Sequence, residues 1–227
     1  MVRGRALPSV TDFQKYAVNL LGTTDVVYAP LYDFQLYAAA GQNLLTFFSI
    51  PQGQGATSHP GGAGVKTLAD TNMTLAGQIP APQRFMVIGV ELVLLPSNLP
   101  GRGPVAQTTV GFNANDVYSV ARSGSLTLTI GQKIYAQDAP MMAFAQQNYL
   151  EGLAAVSDAT TAGANLLSQV ETASIRGPAY AIQPTVIPNG QNFNVQAVWP
   201  NLIALPSAGA ATRIGVKLLG WLARAAQ

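Results

Sequence analysis

Alternation of apolar and polar residues runs through much of the chain and predicts β-strands. Tyr32, Phe34 and Leu36 alternate with the polar residues Asp33 and Gln35, which is the period of a half-buried strand. The same period, or a short apolar run bounded by turn residues, recurs along the sequence. The predicted strands are 26–37, 43–50, 84–95, 125–130, 133–137, 180–187, 191–199 and 212–222.

Four of these strands allow more detailed predictions. Apolar residues are nearly continuous from Phe85 to Leu95, which predicts a strand covered on both faces. The last strand places Ile214, Val216, Leu218 and Leu222 on one face and Arg213, Lys217 and Trp221 on the other. The strands 180–187 and 191–199 flank Pro188-Asn189-Gly190, in which Asn-Gly predicts a hairpin turn.

Two regions follow helical spacing instead. Thr11-Asp12 is a plausible helix start, and the apolar residues that follow it predict a short helix ending near Gly22. Between residues 146 and 172 many alanines replace the alternation, which predicts a helical insertion between strands. We therefore expect an N-terminal arm with a short helix over residues 1–24, and one domain over residues 25–227.

Eight antiparallel strands in two sheets of four is the strand number of a jelly roll, so the expected fold class is all-β with a single β-sandwich. A double jelly roll would need about twice as many strands. Inspection shows no internal repeat, which also disfavours two duplicated rolls.

Charge is scarce in this sequence. Asp, Glu, Lys and Arg make up 10% of the residues, against about 25% in ordinary soluble domains. Since isolated proteins usually cover their surface with interspersed charge, this scarcity favours a chain whose outside is largely covered by other subunits. An extracellular β-sandwich rich in Ser, Thr, Asn and Gln would explain it almost as well. The chain begins without the apolar segment of a secretory signal, and we expect no export.

Few residues suggest chemistry. The chain has no cysteine, and its one histidine, His59, cannot form a multi-histidine metal centre. The segment from Gly61 to Thr67 resembles a phosphate loop, but Val65 breaks the required Gly-Lys-Ser/Thr order. Glu91 interrupts an apolar strand and is interpreted as a carboxylate at a rim or subunit contact, bonded to a basic neighbour. We therefore predict no enzyme and no catalytic, cofactor-binding or metal-binding residues.

Four segments stand out along the chain: Phe47 to Gln54, Asp70 to Met73, Gly77 to Phe85 and Arg213 to Gly220. Together they resemble the jelly-roll major capsid proteins of small tailless icosahedral bacteriophages, and the resemblance extends along most of the chain.

The resemblance implies a self-assembling shell subunit found in the virion and assembled in the host cytoplasm. Its partners would be copies of itself and other capsid proteins, with no small-molecule substrate. The N-terminal arm, with Arg3 and Arg5, would reach neighbours or the inner surface. An internal membrane, or weak contact with the genome through this arm, is left open, because the chain lacks the dense basic patch of strong nucleic-acid binders. The alternative is a carbohydrate-binding or attachment β-sandwich with exposed aromatic residues.

Overall fold

A computed structural model describes residues 10–21, 24–59, 62–95, 114–144, 148–157, 166–175, 179–205 and 211–226. These ranges form mostly antiparallel β-structure with little helix. The helices are α1 (Val10–Leu21), α2 (Ala114–Ser123) and a single 3-10 turn (Met141–Ala143). The strands are β1 (Thr24–Tyr28), β2 (Leu31–Tyr37), β3 (Leu44–Phe47), β4 (Arg84–Leu95), β5 (Ser125–Ile130), β6 (Lys133–Pro140), β7 (Asn148–Ser157), β8 (Leu166–Ile175), β9 (Tyr180–Ile187), β10 (Phe193–Val198) and β11 (Thr212–Ala225).

Two larger sheets carry most of these strands. In the first sheet β11 is central: β1 and β2 pair with successive parts of one side, β4 pairs with the other side, and β9 follows β4. The second sheet has the order β3-β10-β5-β6. All of these pairings are antiparallel. The strand prediction for 212–222 is confirmed, because β11 lies inside its sheet.

The main hydrophobic core lies between the two sheets, which is the arrangement of a β-sandwich. Val216 and Leu218 of β11 contribute from one sheet, and Val195 of β10 contributes from the other. Trp199 packs edge-on against Tyr37 with ring centroids 5.0 Å apart, and its indole N–H donates to the carbonyl of Val120 in α2. Each such large side chain contributes about 1.5 to 3 kcal/mol through burial.

The outer side of the first sheet is partly covered as well. Phe13 of α1 packs against Met86 of β4 and Ala223 of β11. The predicted N-terminal helix is thus present, and β4 is buried along nearly its whole length, as its continuous apolar sequence predicts. In the described ranges, no helix is long and apolar enough to cross a membrane.

The predicted helical insertion over 146–172 is wrong for the residues that the structure describes. β7 and β8 pair with each other along their full length, from Asn148 opposite Ile175 to Ser157 opposite Leu166. The alanines in this region favour helix only weakly, and ladder pairing between two neighbouring segments overrides such a preference. Helix α2, by contrast, was not predicted.

The Asn189-Gly190 turn is present but does not close a hairpin. Gly190 adopts a left-handed conformation with φ of +72°. However, β9 pairs with β4 in the first sheet, whereas β10 pairs with β3 and β5 in the second. The turn therefore carries the chain from one sheet to the other. The described residues contain eleven strands rather than eight, because 26–37 divides at Ala29 and Pro30 and because β7 and β8 are added.

Candidate functional site

The connection between β3 and β4 runs along the open edge of β2. The amide of Phe34 donates to the carbonyl of Asp70 at 2.8 Å, and Thr71 forms a β-bridge with Asp33. The Asn72 side chain extends this contact, accepting from the Tyr32 amide and donating to the Pro30 carbonyl, both at 2.9 Å. The connection thereby occupies backbone groups of an edge strand that would otherwise be open to pairing with other chains.

Two groups of polar contacts fix this connection to the sandwich, and we call them together the clasp. One group joins Asp33 of β2 to Lys66, and the other joins Ser58 and Asp70 to Arg213 of β11. The clasp contains two ion pairs, Asp33 with Lys66 and Asp70 with Arg213. Three separate parts of the chain are thereby joined through side chains.

The Asp33–Lys66 pair is almost entirely withdrawn from water. The side chain of Asp33 is 0% exposed and that of Lys66 is 1% exposed, and Lys66 Nζ lies 2.5 Å from Asp33 Oδ1. Lys66 Nζ also donates to the carbonyl of Phe34 at 3.0 Å. Burial raises the pKa of Asp33, and the opposing effect of Lys66 does not offset it.

The second oxygen of Asp33 has its own donors. Asp33 Oδ2 accepts from the backbone amide of Phe48 at 2.7 Å and from Gln35 Nε2 at 3.0 Å. Phe48 follows β3, so the carboxylate of Asp33 also links the edges of the two sheets. Each oxygen of the carboxylate therefore has a distinct set of partners.

Asp70 organises the connection itself. Its Oδ1 accepts from the Ser58 amide at 3.0 Å and the Ser58 hydroxyl at 2.5 Å, and its Oδ2 accepts from the Thr67 amide at 2.9 Å and the Thr57 hydroxyl at 3.1 Å. Burial alone would raise the pKa of Asp70, but the hydrogen bonds from Ser58, Thr67 and Thr57 outweigh it and hold that pKa well below its usual range.

Arg213 joins this arrangement to the outer face of the first sheet. Its guanidinium lies 4.1 Å from the ring centroid of Phe34, donates to Ser58 Oγ at 2.7 Å and also donates to the carbonyl of Ala69. The Phe34 ring lies directly over Gly215, where any Cβ atom would overlap it. A glycine in β11 thus makes room for the aromatic platform under Arg213.

The polar residues singled out in the sequence are distributed as follows. The His59 side chain is 49% exposed, with Nε2 3.9 Å from Asp70 Oδ1. Lys66, in the segment that resembles a phosphate loop, is buried against Asp33 instead of lying exposed. Glu91 is buried and stands opposite Lys217 in the ladder, and burial raises its pKa against the influence of Lys217. Arg3 and Arg5 lie outside the described residues.

The clasp is not predicted from the sequence, because the polar positions of an alternating strand ordinarily face solvent, whereas Asp33 faces inward. Residues directly opposite each other in a ladder point to the same side, and Asp33 stands opposite Val216, a core residue. The aromatic residues Tyr32 and Phe34 therefore lie on the outer face, and the carboxylate faces inward. A useful signal was present, since Lys66 and Asp70 are charged residues inside a Gly-rich connection.

The polar groups of the clasp bond mainly to one another and to the backbone. Among the residues that the structure describes, no group of three or more His, Asp or Glu side chains is placed to hold a metal ion. No protein-family model matches the chain, and a search of curated proteins finds no significant match.

Proposed function

We propose that the chain is a self-assembling structural subunit, the major capsid protein of a small icosahedral bacteriophage, built on a jelly roll. The observation that carries this proposal is the strand order of the two sheets. We count β1 and β2 as one interrupted strand and leave out the β7–β8 hairpin, so that the remaining strands are numbered first to eighth in chain order. The first sheet then has the order first, eighth, third, sixth. The second sheet has the order second, seventh, fourth, fifth.

This alternation supports the jelly roll because it is what two Greek keys wound around one sandwich produce. Apart from β5 and β6, which follow each other and pair within the second sheet, each strand in this count is followed by a strand of the other sheet, so the chain repeatedly crosses the core. The Pro188-Asn189-Gly190 turn is one such crossing. Jelly rolls form virus shells, lectins and cupins, and the scarcity of histidine disfavours a metal-dependent cupin.

The surface supports an assembling subunit. Several large apolar side chains remain more than half exposed in the single chain, on a protein with only 10% charged residues. They are Tyr28, Leu44, Leu68, Ile134 and Leu202. Contact with neighbouring subunits would remove this apolar surface from water, and obligate interfaces commonly bury about 2,000 Å² or more in total.

The clasp fits the same role. A long Gly-rich connection would ordinarily have many conformations, and ordering it costs about 1 to 2 kcal/mol per residue in backbone entropy. Two ion pairs within the single chain hold this connection against β2 and β11, so the connection is ordered without contact to another subunit. A preorganised loop lowers the cost of docking against another subunit.

One observation favours the alternative of an attachment module that binds carbohydrate. Tyr28 is exposed on the first sheet, and its ring contacts Trp221 edge-on at 6.5 Å. Such an aromatic pair is a suitable platform for a sugar ring. Under this alternative Tyr28→Ala should abolish glycan binding. A shell protein should bind no glycan, with or without this substitution.

Size-exclusion chromatography with light scattering tests the proposal. A capsid subunit should elute as trimers, pentamers, hexamers or larger bodies at micromolar concentration. A stable, soluble monomer over the whole accessible concentration range would contradict the proposal. The glycan-binding alternative is then examined with an array of immobilised oligosaccharides.

A further inference from the structure

From the geometry of the clasp we infer that Lys66 and Asp33 join covalently, through an amide bond between Lys66 Nζ and Asp33 Cγ that forms without an enzyme. The inference is independent of capsid assembly, because both residues belong to one chain and face each other inside one domain. It assigns a self-modification site to a pair that would otherwise be interpreted as a simple buried ion pair.

The first requirement is a nucleophile held against an electrophile. Lys66 Nζ lies 2.5 Å from Asp33 Oδ1, and the Phe34 carbonyl at 3.0 Å fixes the amine from a second direction. The Lys66 backbone is anchored as well, since its amide donates to Gln54 and its carbonyl accepts from Gly53. Such fixed placement replaces a bimolecular encounter and supplies a large part of the rate of intramolecular reactions.

The second requirement is a neutral amine and a protonated acid. Both side chains are at most 1% exposed, and burial favours the protonated form of Asp33. The direct contact lets one proton pass from Nζ to Oδ1. The raised pKa of Asp33 agrees with this transfer.

The third requirement is stabilisation of the charge that develops during attack. When Nζ attacks Cγ, electrons of the C–Oδ2 bond move onto Oδ2. That oxygen already accepts hydrogen bonds from the Phe48 amide at 2.7 Å and from Gln35 Nε2 at 3.0 Å. Two fixed N–H donors aimed at one oxygen form the arrangement that stabilises a tetrahedral oxyanion.

The step balances without a co-reactant. The ammonium group begins with three protons; the first reaches Oδ1 before attack and the second reaches the same oxygen as the intermediate collapses. The Cγ–Oδ1 bond breaks and Oδ1 leaves as water, while Oδ2 regains its double bond. The product is a secondary amide that retains one proton on nitrogen.

The amide would fasten the connection to β2 in a chain that has no cysteine for a disulfide. Residues 33 and 66 would close a covalent loop that contains all of β3. Like a disulfide, this link would restrict the unfolded chain.

Intact-mass spectrometry of the purified full-length chain tests the inference. The expected result is a mass lower than the sequence mass by one water molecule. Because trypsin does not cut after an acylated lysine, cleavage after Lys66 should be lost and residues 16–84 should remain one fragment. Chymotrypsin, which cuts after Phe47 and Phe48, should yield two peptides joined through Asp33 and Lys66.

Two variants serve as controls. Lys66→Arg keeps the positive charge but should not form the amide, and Asp33→Ala removes the electrophile, so both should have their full sequence masses. The full sequence mass for the unaltered chain, even after long incubation at neutral pH, would overturn the inference. So would a missing water that persists in Lys66→Arg or maps to another residue, such as a cyclised aspartate.

Discussion

At the scale of single residues, the clasp places two buried carboxylates in opposite electrostatic situations. Asp33 has a raised pKa because burial outweighs its donors and Lys66, whereas Asp70 has a lowered pKa because its many donors outweigh burial. The difference follows from the number of N–H and O–H groups that each carboxylate accepts from. Asp70 is therefore the group whose ionisation stabilises the fold.

Asp70→Asn should lower the free energy of unfolding at pH 7 by about 2 to 4 kcal/mol, since it removes one partner of a buried ion pair. The folded-state pKa of Asp70 lies below its unfolded value of about 3.9, so its stabilising contribution is present above that pH and is lost as the pH falls through the folded pKa. The difference from the unaltered chain should therefore shrink in acid. Urea unfolding at pH 7 and pH 3 measures it.

Asp25→Asn provides the matched control. Asp25 pairs with Arg224 at 2.7 Å, but both side chains are about half exposed. The loss should stay below about 1 kcal/mol because surface ion pairs contribute little. Equal losses for Asp70→Asn and Asp25→Asn would contradict the assignment of Asp70 as an organising group.

At the scale of elements, β11 determines the register of the first sheet, because three strands pair with it. Val216→Asp should destabilise the protein by several kcal/mol, since it places a carboxylate inside the main core. Lys217→Gln changes the next residue, which lies on the opposite face of the sheet. This variant should lower the free energy of unfolding by only about 1 kcal/mol. Chemical unfolding and soluble yield compare the two variants, and equal effects would refute the register.

The register shift between β11 and β4 leads to a second prediction. The register with β4 shifts between Leu219 and Gly220, and a Cβ atom on Gly220 would overlap the Met86 carbonyl. Gly220→Ala should therefore cost about 3 kcal/mol, because backbone atoms must move. Gly89→Ala is the control, since its nearest contact would be 3.3 Å away. In thermal unfolding, Gly220→Ala should have a clearly lower melting temperature than Gly89→Ala. The reverse order would contradict this packing.

The sequence predicts elements best where one face is buried and the period is clean. β10 is such a case, with Phe193, Val195 and Ala197 all facing the core. Prediction fails where the partner of a segment, rather than its own sequence period, decides the structure. The alanine-rich region forms β7 and β8 because they pair with each other, and Asn189-Gly190 joins two sheets because β9 and β10 have other partners. The inward position of Asp33 could not be predicted, because its partner Lys66 lies far along the chain.

At the scale of the whole molecule, low charge content and exposed apolar side chains both favour the proposed association between copies of the chain. Few charges repel neighbouring copies, and the contacts between copies would be mainly apolar. Association should therefore persist at about 1 M salt, where electrostatic interactions are screened within about 3 Å. Light scattering across a salt series measures this, and dissociation into monomers on adding salt would contradict apolar contacts.

Electron microscopy of the purified protein tests most directly whether copies of this chain build a closed shell, as we propose. We expect closed particles of uniform diameter, whose walls consist of the two-sheet domain and whose outlines show icosahedral symmetry after averaging. Single, unassociated domains at every concentration, or only irregular aggregates, would contradict the proposal.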